Sequence, residues 1–133
     1  MRALVLDCTL DGRSEAVISS DLRSWGVTVD SLPATDVPVS VEEYSVVVIL
    51  TPSWLAQPSR LAQRVLNRLP GASRTTVAGV VALNELAEGQ WMRTTLSWHL
   101  WNLGYTVPVH PTAAQFVRTA IQARRNRTLT PTG

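Results

Sequence analysis

Thr51, Ser53, Trp54 and Gln57 follow directly on an uninterrupted apolar run, and in this 133-residue chain they form the cluster best suited to holding a ligand. Val46, Val47, Val48, Ile49 and Leu50 make the continuous, mostly β-branched stretch that a central parallel strand, covered on both faces, requires. Thr51, Pro52, Ser53 and Trp54 end that strand. From Arg60 to Leu69 the residues Leu61, Ala62, Val65, Leu66 and Leu69 recur at helical spacing, with Arg60, Arg64 and Arg68 turned away from the stripe. Ligands of open α/β sheets bind outside the carboxyl ends of the strands, which is where Thr51 to Gln57 must lie. Hydroxyls and backbone groups there can bond a polar rim, and the Trp54 indole offers a flat apolar face. An equal alternative for Trp54 is to fill the gap between loop and helix.

Other chemistry finds little support. His99 lies within a helical stretch and His110 precedes Pro111, with no serine or cysteine nucleophile paired to either. No catalytic side chain is expected. The single cysteine, Cys8, excludes an internal disulfide and a cysteine-rich zinc site, and its place after a buried strand predicts an inert thiol. All twelve basic residues are arginine, but a formal charge of +2 is too small to mark a nucleic-acid binder. Arg118, Arg124, Arg125 and Arg127 read as a solvated helix end that complements the helix dipole, and nucleic acid is not expected as a partner. The apolar runs are strand-sized, well short of the roughly 20 residues of a membrane span, and the N-terminus lacks a secretory layout. The expectation is a cytoplasmic protein with no membrane association.

The elements that must position the cluster follow from patterning. Arg2 to Asp7 reads as a buried strand leading into the loop Cys8 to Arg13. Ser14 is a fitting N-cap for a helix to about Trp25, with Ile18, Leu22 and Trp25 inward and Gly26 closing it. Val27 to Leu32 is a second strand, Pro33 to Val41 a loop, and Val46 to Leu50 the third strand. Thr75 to Leu83 is a fourth strand and Asn84 to Glu88 another loop. A helix from about Gly89 to Leu103 ends at Gly104, before a short fifth strand over Tyr105 to Val109. Pro111 or Thr112 opens a last helix to about Arg125, with Ala113, Phe116, Val117, Ala120 and Ile121 inward. Five strands alternating with helices predict an α/β, three-layer, doubly wound parallel sheet. One domain spans residues 1–126, and residues 127–133 form a frayed tail.

TPSWLAQPSRLAQRVLNRL, from Thr51 to Leu69, resembles the corresponding segment of flavodoxin-like, NADPH-dependent FMN reductase family proteins. MRALVLDCTL is similar to that family's first strand. VAGVVALNELAEG, followed by LGYTVP, resembles its fourth strand, the loop after it, and the entry to its fifth strand. The resemblance implies the strand order 2-1-3-4-5 and FMN as cofactor, with NADPH or NADH as electron donor. Hydride transfer is then the cofactor's own chemistry, and the protein's part is positioning. Three loops would converge on the flavin. Thr9, Arg13 and Ser14, before a helix N-terminus, would meet the phosphate, and a plain capped turn is the equal alternative. Thr51, Pro52, Ser53, Trp54, Leu55 and Gln57 would hold the ribityl chain and ring edge. Asn84 and Glu85 would complete the rim.

Several residues depart from the family pattern. Asp11 puts a carboxylate into the first loop, where it would repel a phosphate. Ala56 replaces a glycine that allows close backbone approach. In the third loop Leu83, Leu86 and Ala87 replace a more polar and flexible sequence. These changes motivate an alternative: a flavin-free relic of the fold acting as a protein-binding or regulatory module. On the helix from Gly89, Met92, Leu96, Leu100 and Leu103 form one apolar stripe while Trp91, Trp98 and Trp101 point elsewhere. A helix apolar on two sides needs two neighbours, the sheet and either a second protomer or the final helix. The expected partner is a second copy of the chain, in a homo-oligomer built through this helix.

Overall fold

In the computed structural model the described residues are 1–9, 13–52, 60–72, 74, 76–83, 96–109 and 112–129. Their elements run β1 (Arg2–Asp7), α1 (Arg13–Ser24), β2 (Thr28–Pro33), β3 (Val46–Pro52), α2 (Arg60–Arg68), β4 (Val77–Leu83), α3 (residues 96–102) and α4 (Ala113–Leu129). The strands are parallel and ordered β2-β1-β3-β4. Because side chains alternate across a strand, each central strand feeds two separate cores. Ala3, Val5, Val46, Val48, Leu50 and Val77 pack with Ile18 and Leu22 of α1 and with Phe116, Val117 and Ala120 of α4. On the opposite face Leu4, Leu6, Val47, Ile49, Ala78 and Val80 pack with Ala62, Val65 and Leu66 of α2 and with Leu96 and Leu100 of α3. The result is the expected three-layer α/β arrangement. As the spacing predicts, Arg60, Arg64 and Arg68 are exposed on α2.

The sheet differs from the expectation at its far edge, where the described residues form four strands and not five. Over Tyr105 to Val109 the chain makes a single parallel bridge between Thr106 and Val77. Thr106 donates its N–H to Thr76 O (3.0 Å) and accepts from Ala78 N–H (2.9 Å). The next donor a parallel ladder needs from this segment is residue 108, and Pro108 has no N–H, so pairing cannot propagate.

Helix ends explain two further details. Trp25 is not on the inner side of α1 and remains 49% exposed. The helix closes in a Schellman turn, with Gly26 N–H bonded to Arg23 O (2.9 Å) and Val27 N–H to Leu22 O (3.3 Å). Val27, not Trp25, thereby takes the buried place beside Leu22. α3 ends the same way, with Gly104 N–H to Trp101 O (3.0 Å) and Tyr105 N–H to Leu100 O (3.2 Å). Gly104 has φ +99°, and an added Cβ there would overlap Ala72 O, so no other residue fits. At the start of α4, Thr112 is the cap, its Oγ1 accepting from Gln115 N–H (3.3 Å). α4 then runs past Arg125 to Leu129.

Candidate functional site

Register decides where the strands deliver their loops. Asp7, the last residue of β1, pairs with Pro33 on one side and with Leu50 on the other, and Leu50 pairs in turn with Val81. β1 and β2 therefore end at one level, and β3 and β4 run two residues past it on the same side. The segments 8–12, 53–59 and 84–95 all leave from one rim of the sheet. From β1 the chain goes outward to β2, then returns across β1 to β3, which makes the β1/β3 boundary the topological switch point. Cys8 N–H still reaches Leu50 O (2.9 Å), extending the β1–β3 contact one residue past the strand.

The two sides of this crevice differ chemically. On the β3 and β4 side the described strand ends carry no charge: Thr51 pairs with Ala82 and Pro52 with Leu83. Thr51 is fully buried. On the β1 side stands the Asp7 carboxylate. Its Oδ1 accepts the Thr9 amide N–H at 2.8 Å and also the Thr9 hydroxyl, which is the Asx-turn geometry of an aspartate two residues before its donor. Asp7 makes no ion pair among the described residues. Cys8, between them, is buried, and burial reinforced by the neighbouring Asp7 charge pushes its thiol up to about 12. It is protonated and unreactive at neutral pH, as its position predicts.

The opposite, amino-terminal end of the sheet is closed by ion pairing. Arg2 bonds Asp30 at 2.9 Å and Glu43 at 3.5 Å, and Tyr44 donates its hydroxyl to Asp30 at 2.9 Å.

No protein-family model matches the chain, and no curated protein matches it. Solved structures do. RosB with bound 8-demethyl-8-formylriboflavin-5'-phosphate is 17% identical, matched over 100% of this chain and 82% of that one, with a TM-score of 0.70. A flavodoxin from the domain Archaea is 13% identical over 93% of this chain and 99% of its own, with a TM-score of 0.63. The fold is flavodoxin-like. A Fusobacterium nucleatum flavodoxin bound to flavin mononucleotide extends the likeness at 10% identity, 98% and 99% coverage and a TM-score of 0.57.

Within this flavodoxin-like frame the expected site residues are placed as follows. Thr9 stands at the rim, its hydroxyl committed to Asp7. Arg13 and Ser14 lie in the first turn of α1, which begins at Arg13, so Ser14 is inside the helix and not its cap. Thr51 and Pro52 are the last two residues of β3, next to the switch point. Ser53, Trp54, Leu55 and Gln57, together with Asn84 and Glu85, lie outside the described residues, as do Asp11, Ala56 and Trp91. His99 is exposed on α3. Among the described residues there is no group of three or more potential metal ligands, and no helix long and apolar enough to cross a membrane.

Two residues of consequence carry signals that sequence reasoning passed over. Asp7 is a carboxylate ending an apolar strand two residues before a threonine, which is the Asx-turn pattern. Arg74 has φ +65° and ties the turn before β4 to the end of α3. Its signal is weak, because arginine is not a residue that marks positive φ.

Proposed function

We propose that this flavodoxin-like protein binds a flavin, FMN in the leading reading, at the β1/β3 switch point. The observation that supports the proposal is the register Asp7–Leu50–Val81, by which the segments after β1, β3 and β4 start from one rim, next to Thr51. The uncharged strand ends Thr51–Pro52 and Ala82–Leu83 suit a neutral tricyclic ring, and backbone groups after Thr51 would meet its polar edge. RosB and the Fusobacterium flavodoxin, both of this fold, hold flavin phosphates in their structures, which supports the assignment. When bound, the flavin would supply hydride acceptance and donation. The chain's own residues would bind it, orient it against the rim and exclude water. The finer reading is an NAD(P)H-dependent FMN reductase working in the cytoplasm, in keeping with a single buried, reduced cysteine. Flavin titration of the purified chain tests the binding, and NADPH or NADH oxidation by the loaded protein tests the reductase.

A second reading rests on Trp98, which is 66% exposed on α3. In it the chain docks a second copy through the outer α2/α3 layer. Arg60, Arg64 and Arg68 are exposed on that layer, while Asp36, Glu42 and Glu43 are exposed beside the β2 edge with Val39 between them. Exposed Val39 with carboxylates near it in the chain on one protomer complements an exposed indole and the exposed arginines of α2 on the next. This homo-oligomer is compatible with flavin binding and also serves the flavin-free alternative. Sedimentation at increasing concentration and salt tests it.

A further inference from the structure

We propose that Asp7 makes this crevice take a flavin with an uncharged ribityl end, riboflavin, at least as readily as FMN. The proposal rests on the flavin reading and concerns the phosphate end of the same site. In a switch-point crevice the loop after β1 is the segment that meets a ligand phosphate, through backbone amides and hydroxyls offered before the following helix. Here the amide and the hydroxyl of Thr9 are already given to a carboxylate of the chain itself, Asp7 Oδ1. Oδ2 of Asp7 takes no donor among the described residues, and no described cation pairs with the group.

The chemistry of the two ends of a flavin then separates. A phosphate is an acceptor carrying up to two negative charges. It would have to displace Asp7 from Thr9 and settle beside a carboxylate that no described cation pairs with. The 5'-hydroxyl of riboflavin is uncharged and is a donor, and Asp7 Oδ2, which takes no donor among the described residues, is an acceptor of matching polarity. The two donors of Thr9 are thus occupied, and an acceptor suited to riboflavin is in place. Asp7 is a specificity-determining residue in this account and takes no part in hydride transfer.

The test is a pair of titrations, FMN and riboflavin, into the full chain and into Asp7→Asn, each followed by quenching of flavin fluorescence. Asparagine keeps an Oδ1 acceptor for Thr9, so the turn survives, and thermal melting checks that it does. The wild-type chain is expected to bind riboflavin as tightly as FMN or tighter. Asp7→Asn, which turns the Oδ2 acceptor into an amide donor, should tighten FMN by about tenfold and weaken riboflavin by about threefold or more. Raising salt to about 0.5 M should tighten FMN binding to the wild type without tightening riboflavin, a measurement that stands even if the variant misfolds. A wild-type preference for FMN of about tenfold or more, or a variant that shifts both flavins alike, would overturn the role of Asp7 while leaving the flavin site in place. Binding of neither flavin by either protein would overturn the flavin site and this inference together.

Discussion

The guanidinium carbon of Arg74 lies over the Trp101 indole, 3.5 Å from the ring centroid. Nη1 of Arg74 also donates to Trp101 O (2.8 Å) and Tyr105 O (2.7 Å), while its backbone N–H bonds Gly104 O (2.6 Å). One side chain therefore caps the carbonyl end of α3 and covers part of the indole that the sequence pattern leaves facing outward. Removing it in Arg74→Ala should cost about 1–3 kcal/mol, from the stacking and the orphaned carbonyls together. Arg74→Gly should cost less than Arg74→Ala, because φ +65° burdens alanine and not glycine. Urea unfolding of the two variants checks the order.

Gly79 leaves room in β4 for the Phe116 ring of α4. A Cβ at position 79 would fall 2.7 Å from Phe116 Cζ and still closer to Cε1. Gly79→Ala should therefore push α4 off β4 at a cost of about 1–3 kcal/mol, a small-to-large change in a packed core. Shortening the ring in Phe116→Leu should make the added methyl less damaging, a non-additivity that a double-mutant cycle in urea would measure.

Alkaline pH should destabilise the fold. Burial pushes the Cys8 thiol, ordinarily 9.0, and the Tyr105 hydroxyl, ordinarily 10.0, up to about 12 in the folded chain. The Tyr44 hydroxyl is also raised to about 12, by burial and then by its bond to Asp30. Each group stays protonated in the folded state at a pH where the unfolded chain has released the proton. Their contribution is complete below pH 9, declines above it, and is gone beyond about pH 12. Urea midpoints should fall steadily across that window, and Cys8 should resist thiol reagents at neutral pH until the chain unfolds.

Self-association, if it runs through the α2/α3 layer, should respond to charge. Arg64→Glu should abolish it, Trp98→Ala should weaken it, and mixing Arg64→Glu with Glu42→Arg should restore it in part. Sedimentation velocity reads the outcome, and a monomer at every concentration and salt would contradict the proposal. Binding of the same layer to an acidic polymer but not to a second copy would contradict it equally.

Much of the frame is legible in the chain because burial writes itself in simple patterns. Val46 to Leu50 can only be a strand covered twice, and Ala62, Val65, Leu66 and Leu69 can only face it from a helix. The fifth strand misleads because Tyr105 to Val109 has strand composition while Pro108 lacks the donor that would carry the ladder on. Trp25 misleads because its spacing from Ile18 and Leu22 is helical, yet the Schellman turn at Gly26 hands the inner position to Val27. Thr51 is legible as a strand end from its place after an apolar run. Asp7 escapes notice because a carboxylate at a strand end gains its meaning only from the Thr9 hydrogen bonds.

The central claim, that the β1/β3 crevice holds a flavin, is tested most directly by titrating FMN and riboflavin into the purified chain and following flavin absorbance and fluorescence. The account predicts saturable binding of one flavin per chain, weakened about tenfold or more by Trp54→Ala through loss of a stacking face. A chain that leaves both flavin spectra unchanged at every concentration would contradict it.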